Sequence, residues 1–195
     1  MASVVAVYPQ TRRWTRKEYD GLIELGVFRP GERLELLDGL LAVREPQGSR
    51  HAASIRCVLK ALRDALGETW QIDSQLPIAL DDYSEPEPDI AVVPHDPHNY
   101  RSDHPSRPVL IVEVAESSYR IDRDFKAGLY ARAGIAEYWI VDLTSETLEV
   151  HRTPEASREA VHGWRYASVE TLQRSATVTP LVAPTVTMSV AALLP

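Results

Sequence analysis

The chain has 195 residues, of which 44% are hydrophobic and 25% are charged, a globular composition that argues against disorder over the whole length. It carries 21 lysines and arginines against 28 aspartates and glutamates, a formal net charge of −7, which argues against a protein that coats nucleic acid by bulk positive charge. Cys57 is the one cysteine, which excludes a disulfide framework and a cysteine-rich zinc site.

The sequence shows no targeting or membrane signal. The first ten residues, MASVVAVYPQ, lack the basic stretch that opens a signal peptide. No apolar run approaches the roughly 18 residues that a membrane-spanning helix needs. We therefore expect a cytoplasmic protein that does not enter a membrane.

The first part of the chain predicts a helix followed by a β-hairpin. Thr15 and Glu18 have the spacing of a capping box and Gly26 is a stop signal, which together predict a short helix from Thr15 to Leu25. Asp38-Gly39 stands between two apolar runs, which is a strong signal for a two-residue hairpin turn.

Two further helices are predicted from caps and apolar periodicity. Ser49 is placed to cap a second helix that Gly67 ends. Its apolar face consists of Ile55, Val58, Leu59, Leu62 and Leu66. Ser117 or Ser118 is placed to cap a third helix that Gly134 ends. Its apolar face consists of Ile121, Phe125 and Leu129.

Short apolar and β-branched runs predict the strands of one sheet. They span residues 70–73, 76–80, 89–93, 109–115, 137–142, 148–152 and 164–169. A last helical turn is predicted at 189–194. This order predicts a mixed α/β or α+β fold with one central sheet. We expect a single domain over residues 1–195, in which residues 154–195 form a C-terminal accessory segment.

Three carboxylates interrupt apolar strand patterns. They are Glu35 in Leu34-Glu-Leu-Leu37, Asp89 at the start of Asp-Ile-Ala-Val-Val93, and Glu113 in Ile111-Val-Glu-Val-Ala115. A carboxylate in a buried strand costs several kcal/mol unless it is paired, protonated or bound to a metal. Three of them in neighbouring strands indicate a cluster that needs a cation.

Mg²⁺, or Mn²⁺ in its place, suits such a cluster because hard divalent cations prefer oxygen ligands. A site of this kind activates water and stabilises charge on a phosphoryl group. Lys126 follows Glu113 by 13 residues on the third predicted helix, from which it could orient the water or steady the developing charge.

Simpler interpretations stay open at this point. Each of the three acids could face solvent on an edge strand, and Asp89 could instead cap a turn after Pro88. Lys126 could pair with Asp122 at i, i+4 on a solvated helix face, because the periodicity of the third helix does not fix which way Lys126 faces.

Four stretches resemble a known family. They are Leu34-Glu-Leu-Leu-Asp-Gly-Leu40, Glu85-Pro-Glu-Pro-Asp-Ile-Ala-Val-Val93, Leu110-Ile-Val-Glu-Val-Ala-Glu-Ser-Ser118, and the segment from Asp122 to Asp142 with its Gly-Ile-Ala-Glu-Tyr-Trp-Ile-Val-Asp end. In order and spacing they resemble the putative restriction endonucleases catalogued as domain of unknown function 820 (Uma-type). That family is similar to the PD-(D/E)xK nucleases. The resemblance covers roughly residues 15–150.

The resemblance implies a restriction-endonuclease-like fold, with a central mixed sheet flanked by helices, and a Mg²⁺-dependent endonuclease. It makes Asp89 and Glu113 metal-binding catalytic carboxylates, Glu35 an additional acidic ligand, and Lys126 the catalytic lysine. The usual lysine position, two residues after the strand glutamate, is Ala115 here, so the resemblance implies that the lysine has moved to Lys126. Glu116, near the end of the same strand, is a further carboxylate that could contact the metal ligands rather than the metal itself.

Histidines and basic residues are ambiguous. His51 could contact a phosphate or the cluster, or make a local hydrogen bond at a helix start. A solvated loop is the preferred interpretation for His95, His98 and His104. Basic residues cluster locally and could flank a groove or form solvated helix faces. They are Arg12, Arg13, Arg16, Lys17, Arg50, Arg56, Lys60, Arg63, Arg120 and Arg123.

The expected substrate is nucleic acid, with DNA preferred over RNA, and a homodimer is left open. The rival hypothesis is a non-catalytic module that binds nucleic acid or protein on a nuclease fold, because a fold does not fix a function. That rival predicts that Asp89 and Glu113 do not bind metal.

Overall fold

A computed structural model describes residues 11–44, 46–95, 100–101 and 103–195. The predicted absence of a signal peptide concerns residues 1–10, which lie outside the described residues, as does His98. Within the described part of the chain, no helix combines the length and the apolar character of a membrane span.

A six-stranded mixed sheet forms the centre of the fold. Its strands are β3 (Trp70–Asp73), β4 (Ile90–Pro94), β5 (Leu110–Ala115), β6 (Glu137–Asp142), β7 (Thr147–Ala156) and β8 (Trp164–Gln173), in that spatial order. β5 and β6 are parallel, and the other neighbours are antiparallel. A separate hairpin pairs β1 (Leu34–Leu37) with β2 (Leu40–Val43), and a small ladder pairs β9 (Thr177–Val178) with β10 (Met188–Ser189). The predicted mixed architecture is confirmed.

The described residues contain three α-helices. They are α1 (Arg16–Glu24), α2 (Ser49–Leu66) and α3 (Ala127–Arg132). A π-helical segment, Ile121–Lys126, runs directly into α3, and short 3₁₀ turns lie at Gly67–Thr69 and Val190–Leu193. The last of these turns confirms the helical turn predicted near the C-terminus.

Two local signals form as the sequence predicts. The Thr15 hydroxyl accepts from the Glu18 backbone N–H, and the Glu18 side chain accepts from the Thr15 N–H, which completes the capping box of α1. At the β1–β2 turn, Asp38 and Gly39 have φ of 50° and 82°, the left-handed pair that favours Asp-Gly in a type I′ turn.

Three predicted local features are wrong. The N-cap of α2 is Gly48, with φ −73° and ψ 164°, and Ser49 is already helical. Residues 76–80 form no strand, because Pro77 has no N–H and Ile78 donates to Pro86 O rather than to a ladder partner. Ile121 is 56% exposed rather than part of an apolar face, since the π-helical turn changes the angular spacing of its residues.

Apolar side chains fill both faces of the sheet. On one face α2 packs against the sheet through the buried side chains Ile55, Val58, Leu62 and Leu66. On the other face α3 contributes Ala127, Tyr130 and Ala131. The sheet is thus covered on both sides, which explains why β5 is buried at all six of its residues.

The segment after Pro154 contributes to the same sheet and core. β8 pairs with β7 at nine positions, Leu193 is fully buried, and its carbonyl accepts from the Ser54 hydroxyl at 2.9 Å. Whether residues 154–195 act as an accessory segment stays a prediction.

Candidate active site

Four residues singled out from the sequence meet at one place. Glu35 comes from β1, Asp89 from the residue before β4, Glu113 from β5 and Lys126 from the end of the π-helical segment. Their exposed fractions are 5%, 4%, 3% and 6%. The alternatives that the acids face solvent and that Lys126 lies on a solvated helix face are therefore wrong.

Lys126 bridges two of the carboxylates. Its Nζ lies 3.1 Å from Glu35 Oε1 and 3.1 Å from Glu113 Oε1. Burial alone would lower the pKa of Lys126, but the charges of Glu113, Glu35 and Asp122 outweigh it and raise the pKa above its usual value. Lys126 is therefore a protonated hydrogen-bond donor inside the cluster.

Glu113 is fixed at both oxygens. Oε1 accepts from Lys126 and from the Tyr130 hydroxyl at 2.8 Å, and Oε2 accepts from the Asp89 backbone N–H at 3.2 Å. Burial raises the pKa of Glu113 to about 8, with Lys126 opposing the rise and Asp122 adding to it. The charge of Lys126 therefore offsets only part of the cost of burying a negative charge on Glu113.

Asp89 is a stable anion at the other side of the cluster. Its Oδ2 lies 3.0 Å from His51 Nε2 and accepts from the Val114 N–H at 2.9 Å, and Arg44 Nη2 lies 3.7 Å from Oδ1. Burial favours the neutral acid, but the hydrogen bond and charge of His51 and the Val114 N–H lower the pKa of Asp89.

His51 contacts the cluster, and Glu116 stands beside it. Burial opposes the charging of His51, yet its hydrogen bond to Asp89 and the charges of Asp89 and Glu113 raise the pKa of His51. Glu116 lines the same cleft, and its backbone carbonyl accepts from the Thr144 hydroxyl at 3.5 Å.

A cleft of about 200 Å³ opens onto these side chains. It is also lined by Asp122, which is 2% exposed and which the sequence analysis considered only as a surface partner of Lys126. The Ser118 hydroxyl donates to Asp122 Oδ2 at 2.6 Å. The i, i+4 spacing of Asp122 and Lys126 is the sequence feature that could have indicated Asp122 as a site residue. On its own, this spacing does not distinguish a buried pair from an exposed one.

The cleft has the donor chemistry of a divalent-cation site. Five carboxylates, those of Glu35, Asp89, Glu113, Glu116 and Asp122, line it, and burial also raises the pKa of Asp122 to about 6. Hard oxygen donors with surplus negative charge fit Mg²⁺ or Mn²⁺. Within the described ranges no three His, Cys, Asp or Glu side chains are already spaced as ligands, so the carboxylates would have to rearrange around an ion.

The other predicted polar groups lie elsewhere. His95 and His104 are exposed, in agreement with a solvated loop. Arg56, Lys60 and Arg63 of α2 are exposed as well, which agrees with a solvated helix face.

Comparison with known proteins identifies the family. Residues 16–191 match the model of the Uma2 family, described as "Putative restriction endonuclease". The chain belongs to the Uma2 family. The resemblance stated from the sequence is thereby confirmed, and membership in Uma2 supports a nuclease that acts on phosphodiester bonds.

A solved structure shares the fold of this Uma2 chain. It is the crystal structure of a putative nuclease belonging to DUF820 from Anabaena variabilis ATCC 29413, with 16% sequence identity and a TM-score of 0.63. The match covers 87% of this chain and 94% of that chain. It confirms the nuclease-like fold. No curated protein matches the sequence.

Proposed function

We propose that the protein is a Mg²⁺-dependent endonuclease that hydrolyses phosphodiester bonds in DNA. The observation that carries this proposal is the convergence of Glu35, Asp89, Glu113 and Lys126, from four separate elements, at one cleft. A buried cluster of three acids with one lysine lowers the stability of the fold. A cation-assisted reaction on a phosphate would explain why the chain keeps it.

Asp89, Glu113 and Glu35 would hold the ion. When bound, Mg²⁺ lowers the pKa of water and stabilises negative charge on a phosphoryl group. His51 and the Val114 N–H keep Asp89 ionised, and the Tyr130 hydroxyl fixes the orientation of Glu113. These contacts set the charge of one proposed ligand and the orientation of the other.

Lys126 would act on the substrate. Its ammonium group has three donors, and in the structure it contacts Glu35 and Glu113. With Glu113 engaged as an ion ligand, one of these donors would be available to the attacking water or to a phosphate oxygen. Lys126 would then orient the water or offset charge in the transition state.

Metal binding is the first test because it needs no choice of substrate. Mn²⁺ and Mg²⁺ are titrated by calorimetry into the wild type, Asp89→Asn and the control Asp64→Asn, whose carboxylate lies exposed on α2. We expect saturable binding by the wild type and the control, and its loss in Asp89→Asn. Equal binding by all three proteins, or no binding by any, would favour the non-catalytic module.

Cleavage is the second test. Supercoiled plasmid is incubated with Mg²⁺ and the wild type, Lys126→Met or the control Lys60→Met, whose lysine is exposed on α2. We expect nicking by the wild type and the control only. Nicking by Lys126→Met at the wild-type rate would remove Lys126 from the active site. A parallel RNA substrate decides between DNA and RNA, while a homodimer and a cytoplasmic location stay predictions.

A further inference from the structure

A second cluster of polar side chains lies beside the segment that carries Lys126, and the proposed reaction does not use it. Glu149 of β7 is 5% exposed. Its carboxylate accepts from Arg123 Nε at 3.3 and 3.2 Å and from the Tyr119 hydroxyl at 2.5 Å. His151 Nε2 lies 3.0 Å from Glu149 Oε2. The cluster joins β7 to the first turn of the helical segment that ends at Lys126.

Glu149 is held there as an anion. Burial alone would raise the pKa of Glu149, but its hydrogen bonds with His151 and Tyr119 and the charge of Arg123 lower it to about 2. These contacts make Glu149 a fixed anionic partner for Arg123. Its clearest effect is to fix the orientation of Arg123.

Arg123 remains open to solvent on its outer side. Its side chain is 46% exposed although Nε is held by Glu149. Among the residues that the structure describes, the contact recorded for its terminal nitrogens is an ion pair with Asp124 at 3.9 Å, which is too long for a hydrogen bond. The guanidinium thus presents donors to a ligand from a preset position.

This position lies next to the proposed reaction centre. Glu113 pairs with Ile140, and Ile140 pairs with Glu149. The two glutamates therefore share one register position, two strands apart. Two strand spacings separate them by about 10 Å. Ile121 and Asp122, the residues just before Arg123, line the cleft. A nucleic acid with one phosphate at Lys126 would therefore bring a neighbouring phosphate within reach of Arg123.

We propose that Arg123, oriented by Glu149, binds a phosphate of the nucleic-acid backbone beside the scissile one. This inference rests on the proposed function and adds a substrate contact to it. The planar guanidinium suits phosphate oxygens, and a contact of this kind positions the strand without reading its sequence. Glu149 is a positioning residue that acts through Arg123.

Fluorescence anisotropy of a labelled DNA duplex tests the proposal. Binding is measured over a range of NaCl concentrations with Ca²⁺ in place of Mg²⁺, and the same samples are checked for cleavage. The variants are Arg123→Ala, Arg123→Gln and the control Arg165→Ala, which removes an arginine on β8 that is 59% exposed and pairs with Glu155. Arg123→Gln keeps a donor for Glu149 and removes the charge, so it decides the question if Arg123→Ala does not fold.

We expect both Arg123 variants to bind the duplex about tenfold more weakly than the wild type. The slope of log affinity against log salt should fall by about 1, the mark of one lost phosphate contact, while Arg165→Ala keeps both values. Wild-type affinity and slope in Arg123→Gln would overturn the proposal. Arg123 would then only connect its helical segment to Glu149 of β7. A wild type that binds no DNA at any salt concentration would overturn the proposed function and this contact together.

Discussion

The ion pairs of Lys126 and Lys60 offer a direct comparison between a buried and an exposed lysine. The Lys126 side chain is 7% exposed and contacts Glu35 and Glu113. The Lys60 side chain is 77% exposed and pairs with Asp64 one turn along α2. Substitution of each lysine by methionine removes the charge and keeps much of the side-chain volume.

The two substitutions should differ several-fold in their effect on stability. Loss of an exposed i, i+4 pair costs about 0.5 kcal/mol or less. Loss of one partner of a buried pair costs about 3–5 kcal/mol, because the remaining charge is left without a counter-ion. Lys126→Met leaves Glu35 and Glu113 without this partner, although Glu113 reduces the cost because its raised pKa favours the neutral acid at pH 7. We therefore expect a loss near 3 kcal/mol at pH 7 for Lys126→Met.

Urea denaturation followed by circular dichroism measures both values. The free energy of unfolding of each variant is compared with that of the wild type in EDTA and again with Mn²⁺. We expect Mn²⁺ to recover part of the loss in Lys126→Met and nothing in Lys60→Met, because only the first variant has lost a positive charge that the ion can replace. A loss below 1 kcal/mol for Lys126→Met, or equal losses for the two variants, would refute the buried cluster described above.

Three further predictions concern the rest of the fold. Burial raises the pKa of Glu85 from 4.5 to about 7, so the folded state keeps a proton that the unfolded chain releases. The contribution of Glu85 to stability should fall by up to about 3 kcal/mol from pH 4.5 to 7, and Glu85→Gln should reduce the slope of the unfolding free energy against pH in that range, where Glu113 also contributes. A Cβ at Gly39 would lie 2.6 Å from Arg13 Cβ, so calorimetric melting should show a larger loss, about 2 kcal/mol or more, for Gly39→Ala than for Gly163→Ala, which has a similar φ and open space. Leu62 is fully buried, and chemical denaturation of Leu62→Ala should show a loss of about 2–5 kcal/mol.

Features that depend on neighbouring residues were predictable from the sequence. The capping box of α1 and the Asp38-Gly39 turn are decided within four residues of the chain. The apolar face of α2 follows from its own periodicity, because one helix face meets one sheet. Residues 76–80 were mispredicted because pairing in a sheet depends on a distant partner strand, which a short apolar run does not specify.

The candidate site was predictable as a set of residues but not as a geometry. Glu35, Asp89 and Glu113 stood out because each interrupts an apolar run. The orientation of Lys126 was not predictable, because it depends on a π-helical turn that the sequence pattern does not indicate. Asp122 was considered only as an exposed partner of Lys126 for the same reason.

The charges in the cleft connect the stability of the protein with its proposed activity. Burial raises the pKa values of Glu113 and Asp122, which shows that the folded chain without an ion keeps these carboxylates at an energetic cost. In the proposed function a divalent cation would remove that cost by binding them, and its affinity would draw on a free energy that folding has already stored. The same argument predicts that Glu113→Gln and Asp122→Asn lose metal affinity while the fold without an ion loses little stability or gains some. At a site that served packing alone, the same substitutions would lower the stability of the fold and would leave metal affinity unchanged.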